Sequence, residues 1–235
     1  MRMYSTDILM LQETKIEEEA LLFLSKTKWK MNVGKAVNVR GTSWGLATLW
    51  CEDNFHLKIS LVTQHWIFTK LQHISSKISM ALFNIYVPVN CKEKKECWNS
   101  LPDFLEIYSP TNIIVAWDLN IILDPKEKKG GVHGKDPLQE SVESLIQASN
   151  LLDLKAKKAR FTWSNNIVGD TNITACLDMF LVQSSLMEGK FIISTKILPK
   201  LTSDHHPISL MFEEEENLGP IPLCFSPLWI ERDSF

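Results

Sequence analysis

The stretch NIIVAWDLN, residues 112–120, is an apolar run that stops abruptly at an acid. Apolar residues on both faces are typical of a strand buried in the middle of a sheet. The run KISMALFNIYVP, residues 77–88, has the same character until its proline closes it. Helical patterns alternate with these runs at 16–27 and 92–101. The alternation predicts an α/β fold.

Strand-like and helix-like stretches continue along the rest of the chain. A third helix is predicted after Asp136, because an aspartate cap, a first-turn proline and Gln139 precede apolar residues that share one face. Further strands are predicted at 7–13, 45–51, 65–74, 160–165, 177–182 and 206–212. The acidic run that follows the last strand is typical of a linker. We therefore expect one domain at 1–212 and an acidic tail at 213–235.

Length and composition limit the class of protein. The chain has 235 residues, 45% of them hydrophobic, which suits one globular domain with a short tail. No apolar run approaches the ~20 residues of a membrane span and the N-terminus lacks a signal-peptide core, so we expect an intracellular protein of the nucleus or cytoplasm, not a secreted one. Five cysteines without a CxxC pair are expected to be reduced thiols with no disulfide partner. The net charge of -3 includes the acidic tail, so it does not exclude a nucleic-acid substrate.

Polar residues end several of the predicted buried strands, where their side chains would project into a cleft at the rim of the sheet. Glu13, Asp118 and Asp204 offer hard oxygen ligands that suit Mg²⁺ or Mn²⁺. His205 can carry a proton near neutral pH, and Asp178 is a candidate for fixing its tautomer. Each acid taken alone is equally explained as a turn residue or helix cap. Together they are the equipment of metal-assisted phosphoester hydrolysis.

Six motifs occur in a fixed order along the chain: LQETK (11–15), NIYVP (84–88), WDLN (117–120), FTWSN (161–165), LDMFLV (177–182) and SDHHPISL (203–210). In this order they resemble the endonuclease/exonuclease/phosphatase superfamily, and most closely the endonuclease domain of plant LINE-type retrotransposon polyproteins. The likeness covers about residues 7–212. The stretches EKKGG (127–131) and GPIPLCFSPLW (219–229) also resemble segments that those polyproteins carry in and after this domain.

The resemblance implies both a fold and an activity. The fold is a four-layer α/β sandwich of the DNase I type, in which two packed mixed β-sheets are flanked by helices. The activity is Mg²⁺-dependent nicking of DNA, with Mn²⁺ as an alternative ion, by a domain originally fused to a reverse transcriptase.

The resemblance also implies roles for residues on the metal and water side of the site. Glu13 would be the principal metal ligand, and Asp204 would lie in the metal shell. Asp118 would activate or orient the attacking water. Asn120 beside it would bond the phosphate, since alternate residues of an extended segment face the same way.

The remaining implied roles concern the phosphate and the rest of the substrate. Tyr86 would contact or position the phosphate, and His205 would bond a phosphate oxygen while Asp178 holds its other ring nitrogen. Asn84 in NIYVP and Trp163 in FTWSN are predicted to contact the substrate. His206 has no role in this scheme.

The chain departs from the family's pattern in two places. Family members carry an earlier strand that ends in an active-site asparagine, and only six residues precede DILMLQE here. We expect lower stability and the loss of one contact to the phosphate or metal shell. The family's Gly-Asp-Phe-Asn becomes WDLN, so Trp117 stands where relatives have glycine. We expect its indole to crowd the cleft beside Asp118 and to weaken activity.

Three functions remain open from the sequence. The first is a weakened DNA-nicking endonuclease derived from a non-LTR retrotransposon. The second is a catalytically inactive remnant or binding module, and the third is a phosphatase of the same superfamily. Basic segments at 92–95, 126–129 and 155–160 are candidates for phosphate contacts, although lysine runs are usually solvated surface.

Overall fold

Fourteen strands and three α-helices make up the regular structure of the described part of the chain. The computed structural model describes residues 6–29, 31–37, 45–132, 134–156, 160–189, 191–200 and 202–214. The strands are β1 (Ile8–Gln12), β2 (Val33–Val37), β3 (Leu46–Trp50), β4 (Phe55–Val62), β5 (Trp66–His73), β6 (Ser79–Tyr86), β7 (Ile113–Asp118), β8 (Lys128–Lys129), β9 (Leu151–Asp153), β10 (Trp163–Ser164), β11 (Thr174–Ala175), β12 (Asp178–Gln183), β13 (Phe191–Ile197) and β14 (Ile208–Glu214). The helices are α1 (Glu18–Leu24), α2 (Cys91–Tyr108) and α3 (Gln139–Ala148).

A six-stranded sheet lies at the centre of the protein, in the order β4-β5-β6-β7-β12-β9. Only β6 and β7 run parallel, and α2 forms the crossover between them. The other neighbouring pairs are antiparallel. The central pair is buried along its whole shared length, as the two apolar runs predicted.

Helices cover one face of the central sheet. Trp98 and Phe104 of α2 and Val142 of α3 pack with Phe83 and Trp117 in one apolar cluster. The N-terminus of α2 is capped by Asn90, whose side chain accepts from Lys92 N and Glu93 N. The helix then continues beyond the predicted end at 101, through Pro102, to Tyr108.

Two smaller sheets cover the other face. They have the orders β1-β3-β2 and β13-β14. Met10 of β1 and Leu210 of β14 pack against one cluster with Leu82, Ile114 and Val182 of the central sheet. On the outer side of the first small sheet, Leu21 of α1 packs with Ala47 and Leu49 of β3. The predicted four-layer sandwich is confirmed, with its second sheet layer divided into two hydrogen-bonded sheets.

The position of Trp117 contradicts the expectation that it crowds the cleft. Its side chain is 1% exposed and its ring centroid lies 6.2 Å from that of Trp98 on α2. Successive side chains of a strand point to opposite faces, so Trp117 faces the helices while Asp118 faces the opposite way. The indole at this position is therefore part of the core and does not line the cleft.

The predicted cap of α3 at Asp136 is wrong, because the helix begins at Gln139 with Leu138 as its N-cap and no side-chain cap bond. Asp136 instead forms the turn before the helix, in which its Oδ1 accepts from Leu138 N at 2.9 Å and its carbonyl accepts from Gln139 N at 3.1 Å. The side chain of Gln139 does not complete a capping box, because its Nε2 donates to Leu123 O and Glu143 Oε1.

The last strand crosses the predicted domain boundary. β14 continues to Glu214, two residues into the predicted tail, and residues 215–235 lie outside the described part of the chain. None of the described helices has the length and apolar character needed to cross a membrane.

Candidate active site

Three polar residues form a row at one end of the central sheet. Tyr86, Asp118 and Asp178 are register partners on β6, β7 and β12, so they stand side by side across three neighbouring strands. Neighbouring strands lie about 4.8 Å apart. The row therefore concentrates a hydroxyl and two carboxylates at the rim where the buried strands end.

Glu13 reaches this row from the second sheet layer. It follows β1 in a left-handed conformation with φ of 53°, and its Oε1 accepts from the Tyr86 hydroxyl at 2.8 Å. The preceding Gln12 ties β1 to β6, because its Nε2 donates to Ile85 O at 2.8 Å and to Asn84 Oδ1 at 3.2 Å. The glutamate is thus fixed from both sides.

The predicted substrate contact by Asn84 is wrong. Asn84 is 0% exposed, and its Nδ2 donates to Leu11 O at 3.1 Å and to Ala47 O at 2.9 Å. Its Oδ1 is occupied by Gln12. Because both ends of the amide are used inside the protein, Asn84 holds the two sheet layers together and does not reach the cleft.

His205 and Asp178 form the pair that the sequence predicted. His205 Nδ1 lies 2.8 Å from Asp178 Oδ2, which leaves Nε2 as the ring nitrogen that can act on a substrate. The histidine side chain is 25% exposed and that of the aspartate 13%, so the pair sits at the edge of solvent.

Trp163 holds the loop that carries the histidine. Its Nε1 donates to Asp204 Oδ2 at 2.9 Å, and its backbone forms an isolated bridge with His205. Ser164 N also donates to Asp204 O at 3.1 Å. The partly exposed indole lines the cleft, so a substrate contact by its ring stays a prediction, while its N–H is already used.

Thr162 is a residue of the site that the sequence did not single out. It is 1% exposed, and its Oγ1 accepts from Leu177 N and Asp178 N, both at 3.0 Å. Its carbonyl accepts from His206 N at 2.7 Å. Thr162 thereby aligns both sides of the His205–Asp178 pair, a role that a single threonine does not reveal in sequence. His206 Nδ1 pairs with Leu198 O, outside the cleft.

Asn120 occupies a strained but well-anchored position. Its φ is 46°, a left-handed conformation that is uncommon for a residue other than glycine. Its backbone N donates to Asp118 Oδ1 at 3.2 Å, and its Nδ2 donates to Val87 O at 2.8 Å. The residue lines the same cleft as Glu13 and His205.

Burial and neighbouring negative charges raise the pKa values of Tyr86 and Asp118 in the row. Burial, together with the nearby charge of Asp178, raises the pKa of Asp118 to about 7. Burial also raises the pKa of Tyr86, and its hydrogen bond to Glu13 adds to the shift. Both groups therefore hold their protons more tightly than usual.

On the loop before β14, the pKa of His205 is raised and that of Asp204 is lowered, so that the charged form of each group is favoured. Burial lowers the pKa of His205, but the hydrogen bond and charge of Asp178 outweigh it and raise that pKa to about 9. Partial burial raises the pKa of Asp204, yet the Trp163 hydrogen bond and the His205 charge hold it below its ordinary value. At neutral pH the site thus presents an imidazolium beside an ionised aspartate.

The cleft in front of these residues has a volume of about 390 Å³. Eleven residues line it: Glu13, Tyr86, Pro88, Val89, Asn90, Glu93, Asn120, Trp163, Leu177, Asp204 and His205. Six of the nine residues predicted for the site line this cleft: Glu13, Tyr86, Asn120, Trp163, Asp204 and His205. Asp118 and Asp178 stand behind it in the row.

The oxygen donors fit a hard divalent cation. Glu13 and Asp204 bring carboxylates to the same cleft, and Glu13 keeps a third of its side chain exposed. Ligand atoms of Asp118, Asp178 and His205 also lie within 4.8 Å of one another. Nδ1 of His205 is already hydrogen-bonded to Asp178, so we interpret these three residues as a hydrogen-bonded group and not as the metal site. Glu13 and Asp204 are the carboxylates more available to an ion.

Comparisons with known proteins identify the fold. No family model and no curated protein matches the sequence. Among solved structures, the AP endonuclease of Leishmania major is 19% identical with a TM-score of 0.66, over 92% of this chain and 80% of that one. The endonuclease domain of TRAS1, a telomere-specific non-LTR retrotransposon, is 11% identical with a TM-score of 0.61, over 87% and 97%.

A phosphatase has the same architecture. The mannosyl-6-phosphatase Bt3783 of Bacteroides thetaiotaomicron is 14% identical with a TM-score of 0.57, over 90% of this chain and 87% of that one. The structural neighbours are thus nucleases and phosphatases built on one four-layer sandwich. The protein has the DNase I-like fold of the endonuclease/exonuclease/phosphatase superfamily, which is the fold that its six motifs predicted.

Proposed function

We propose that this protein is a metal-dependent phosphodiesterase that nicks DNA. The observation that carries the proposal is the row Tyr86–Asp118–Asp178, which meets Glu13 and His205 at one cleft. Carboxylates for a hard cation and a charged imidazole for a phosphate oxygen are what hydrolysis of a phosphate ester requires.

The residues divide the chemistry between them. His205, protonated at neutral pH and oriented by Asp178, donates from Nε2 to a phosphate oxygen and meets charge that develops there. Asp118, whose pKa of about 7 matches the working pH, accepts the proton of the attacking water. Asn120 presents its amide beside it.

A divalent ion completes this set. Glu13 and Asp204 would hold Mg²⁺, with Mn²⁺ as an alternative, and the ion would supply Lewis-acid stabilisation of negative charge on the phosphate. The Tyr86 hydroxyl orients the Glu13 carboxylate through its 2.8 Å bond.

DNA is the proposed substrate because two of the neighbours reported above are endonucleases by name, one of them from a telomere-specific retrotransposon, and the TRAS1 domain matches over nearly its whole length. A phosphatase acting on a small phosphorylated sugar is the second candidate, favoured by the similarity to the mannosyl-6-phosphatase. The hypothesis of an inactive remnant loses one observation that favoured it, because Trp117 lies in the core and not in the cleft.

Nicking of supercoiled plasmid separates these functions. The parent protein is assayed with Mg²⁺ and with a chelator, beside hydrolysis of mannose 6-phosphate under the same conditions. Metal-dependent nicking that is faster than release of inorganic phosphate supports the endonuclease. The reverse order supports the phosphatase, and no turnover of either substrate contradicts both.

A further inference from the structure

Lys94 is a buried lysine that points away from the cleft which its neighbour Glu93 lines. It is 5% exposed, so the sequence expectation that the lysines of 92–95 contact phosphate is wrong for this one. Its Nζ donates to Asp136 Oδ2 at 2.8 Å and to Asn120 O at 3.1 Å. A buried ammonium is costly unless it is paired, and an apolar side chain would pack here at lower cost. The lysine therefore has a use beyond packing.

The bond to the Asn120 carbonyl defines that use. Asn120 stands in a left-handed conformation with its backbone N bonded to Asp118 and its Nδ2 to Val87. Such a conformation persists only where surrounding contacts determine it. Lys94 adds the anchor on the carbonyl side of the same residue.

Asp136 completes the arrangement through its two oxygens. Oδ1 accepts from Leu138 N in the turn before α3, and Oδ2 accepts from Lys94 Nζ. The ammonium thereby joins α2, the segment after β7 and the start of α3. The Lys94 ammonium therefore holds the Asn120 segment against α2 and α3. Both helices are themselves held in place by the core.

We propose that Lys94 is a positioning residue for the hydrolytic site, which it serves by holding the Asn120 carbonyl so that the Asn120 side chain stays in the cleft beside Tyr86 and Asp118. The inference rests on the proposed function, since it assigns Asn120 to the phosphate. A displacement of about 1 Å in a group that acts on the substrate commonly costs on the order of 10²-fold in rate. Loss of this anchor should therefore lower kcat more than it raises KM.

A purely structural ion pair between α2 and α3 is the competing explanation, and two variants separate it from positioning. Lys94→Met removes the donor and leaves the partly buried Asp136 carboxylate, 21% exposed, beside an apolar chain. The double variant Lys94→Met/Asp136→Asn removes both charges and keeps an oxygen that can accept from Leu138 N. The control is Lys58→Met, the same change at an exposed lysine of β4 that lies outside the cleft and outside the three basic segments.

The expected results differ between thermal unfolding and plasmid nicking. Lys94→Met should lower the unfolding midpoint, and the double variant should recover much of that loss because no charge is left unpaired. In both variants kcat should stay about 10-fold to 100-fold below that of the parent, with KM changed less than about 3-fold. Lys58→Met should match the parent. Recovery of kcat in step with the midpoint in the double variant would overturn the positioning role.

A readout that needs no activity keeps this test separate from that of the proposed function. In ¹H–¹⁵N spectra, the side-chain amide of Asn120 should shift and lose protection from solvent exchange in both Lys94 variants, while the amides of Gln12 and Asn84 stay unchanged. Unchanged Asn120 signals in both variants would contradict the inference. If the parent nicks no DNA but the Asn120 signals respond, the proposed function fails and the anchoring by Lys94 stands.

Discussion

Asp178 and His205 meet across the gap between the central sheet and the loop before β14, with 2.8 Å between Asp178 Oδ2 and His205 Nδ1. The aspartate is fixed by its place on β12 and by Thr162, which accepts from its backbone N–H. The histidine lies on a loop that is held by Trp163. The hydrogen bond between them therefore holds the His205 ring in a fixed position relative to the central sheet.

The substitution Asp178→Asn should remove the charge that orients His205 and stabilises its protonated form. Without the carboxylate charge, the pKa of His205 should fall from about 9 toward its ordinary value, because burial is then opposed only by the charges of Asp118 and Asp204. Nicking should fall by roughly 10²-fold to 10⁴-fold, as for other orienting carboxylates. An NMR titration of the His205 ring in metal-free protein measures the first effect. An unchanged titration midpoint would show that Asp178 does not stabilise the imidazolium.

The same pair predicts how stability depends on pH. A histidine whose folded pKa lies above its unfolded value of 6.5 contributes stability that is fully present below pH 6.5 and is lost as the pH rises to about 9. Relative to His205→Ala, the metal-free parent should lose on the order of 1 kcal/mol across this window, about 2–4 °C in unfolding midpoint. Parallel curves for the two proteins between pH 6 and 9.5 would refute this.

Asp118→Asn should stabilise the metal-free protein and destroy its activity. The Asp118 carboxyl is 3% exposed and its pKa is raised from 3.8 to about 7, so its ionisation costs stability that builds up as the pH rises through this range. At pH 8 the neutral amide should raise the free energy of unfolding by on the order of 2 kcal/mol. Its oxygen can still accept from Asn120 N.

Chemical denaturation at pH 8 tests this, with Asp170→Asn on an exposed loop as the matched control. The control should leave both stability and nicking unchanged. A decrease in stability for Asp118→Asn would mean that the ionised carboxylate is favourably solvated in the folded protein.

Trp117→Ala should destabilise the protein without any gain in activity. The indole is 1% exposed between the sheet and α2, and truncation of a buried tryptophan typically costs about 3–5 kcal/mol. Phe23→Ala, at a ring that is 68% exposed on α1, should cost far less. Denaturation curves for the two variants measure the difference. A faster nicking rate for Trp117→Ala would restore the original expectation that the indole obstructs the cleft.

The sequence predicted best where polar residues end long apolar runs. Asp118 was singled out because a buried strand that stops at an acid must end at the rim of its sheet, and Asp178 because it begins a strand, whereas Tyr86 came from the family resemblance. The same rule did not predict where the side chains one or two residues before Asp118 and Tyr86 point. Asn84 faces the second sheet layer and Trp117 faces the helices, and the side to which a residue of a doubly buried strand points is not written in its neighbours.

Other parts of the structure left weaker signals. β4 carries mostly exposed residues, and β13 also alternates poorly, so neither has the apolar pattern that marks a buried strand. Thr162 and Lys94 act through hydrogen bonds to residues that are distant in sequence, which no local spacing reveals. The division of the second layer into β1-β3-β2 and β13-β14 depends on tertiary pairing that sequence patterns do not encode.

Nicking of supercoiled plasmid by three proteins tests the central claim most directly: the parent, His205→Ala and His206→Ala, each with Mg²⁺ and with a chelator. The two histidines are adjacent, but only His205 faces the cleft, while His206 is bonded to Leu198 O outside it. We expect Mg²⁺-dependent nicking by the parent and by His206→Ala, and a loss of on the order of 10³-fold in His205→Ala. Equal rates for the parent and His205→Ala, or nicking that persists in the chelator, would contradict the account.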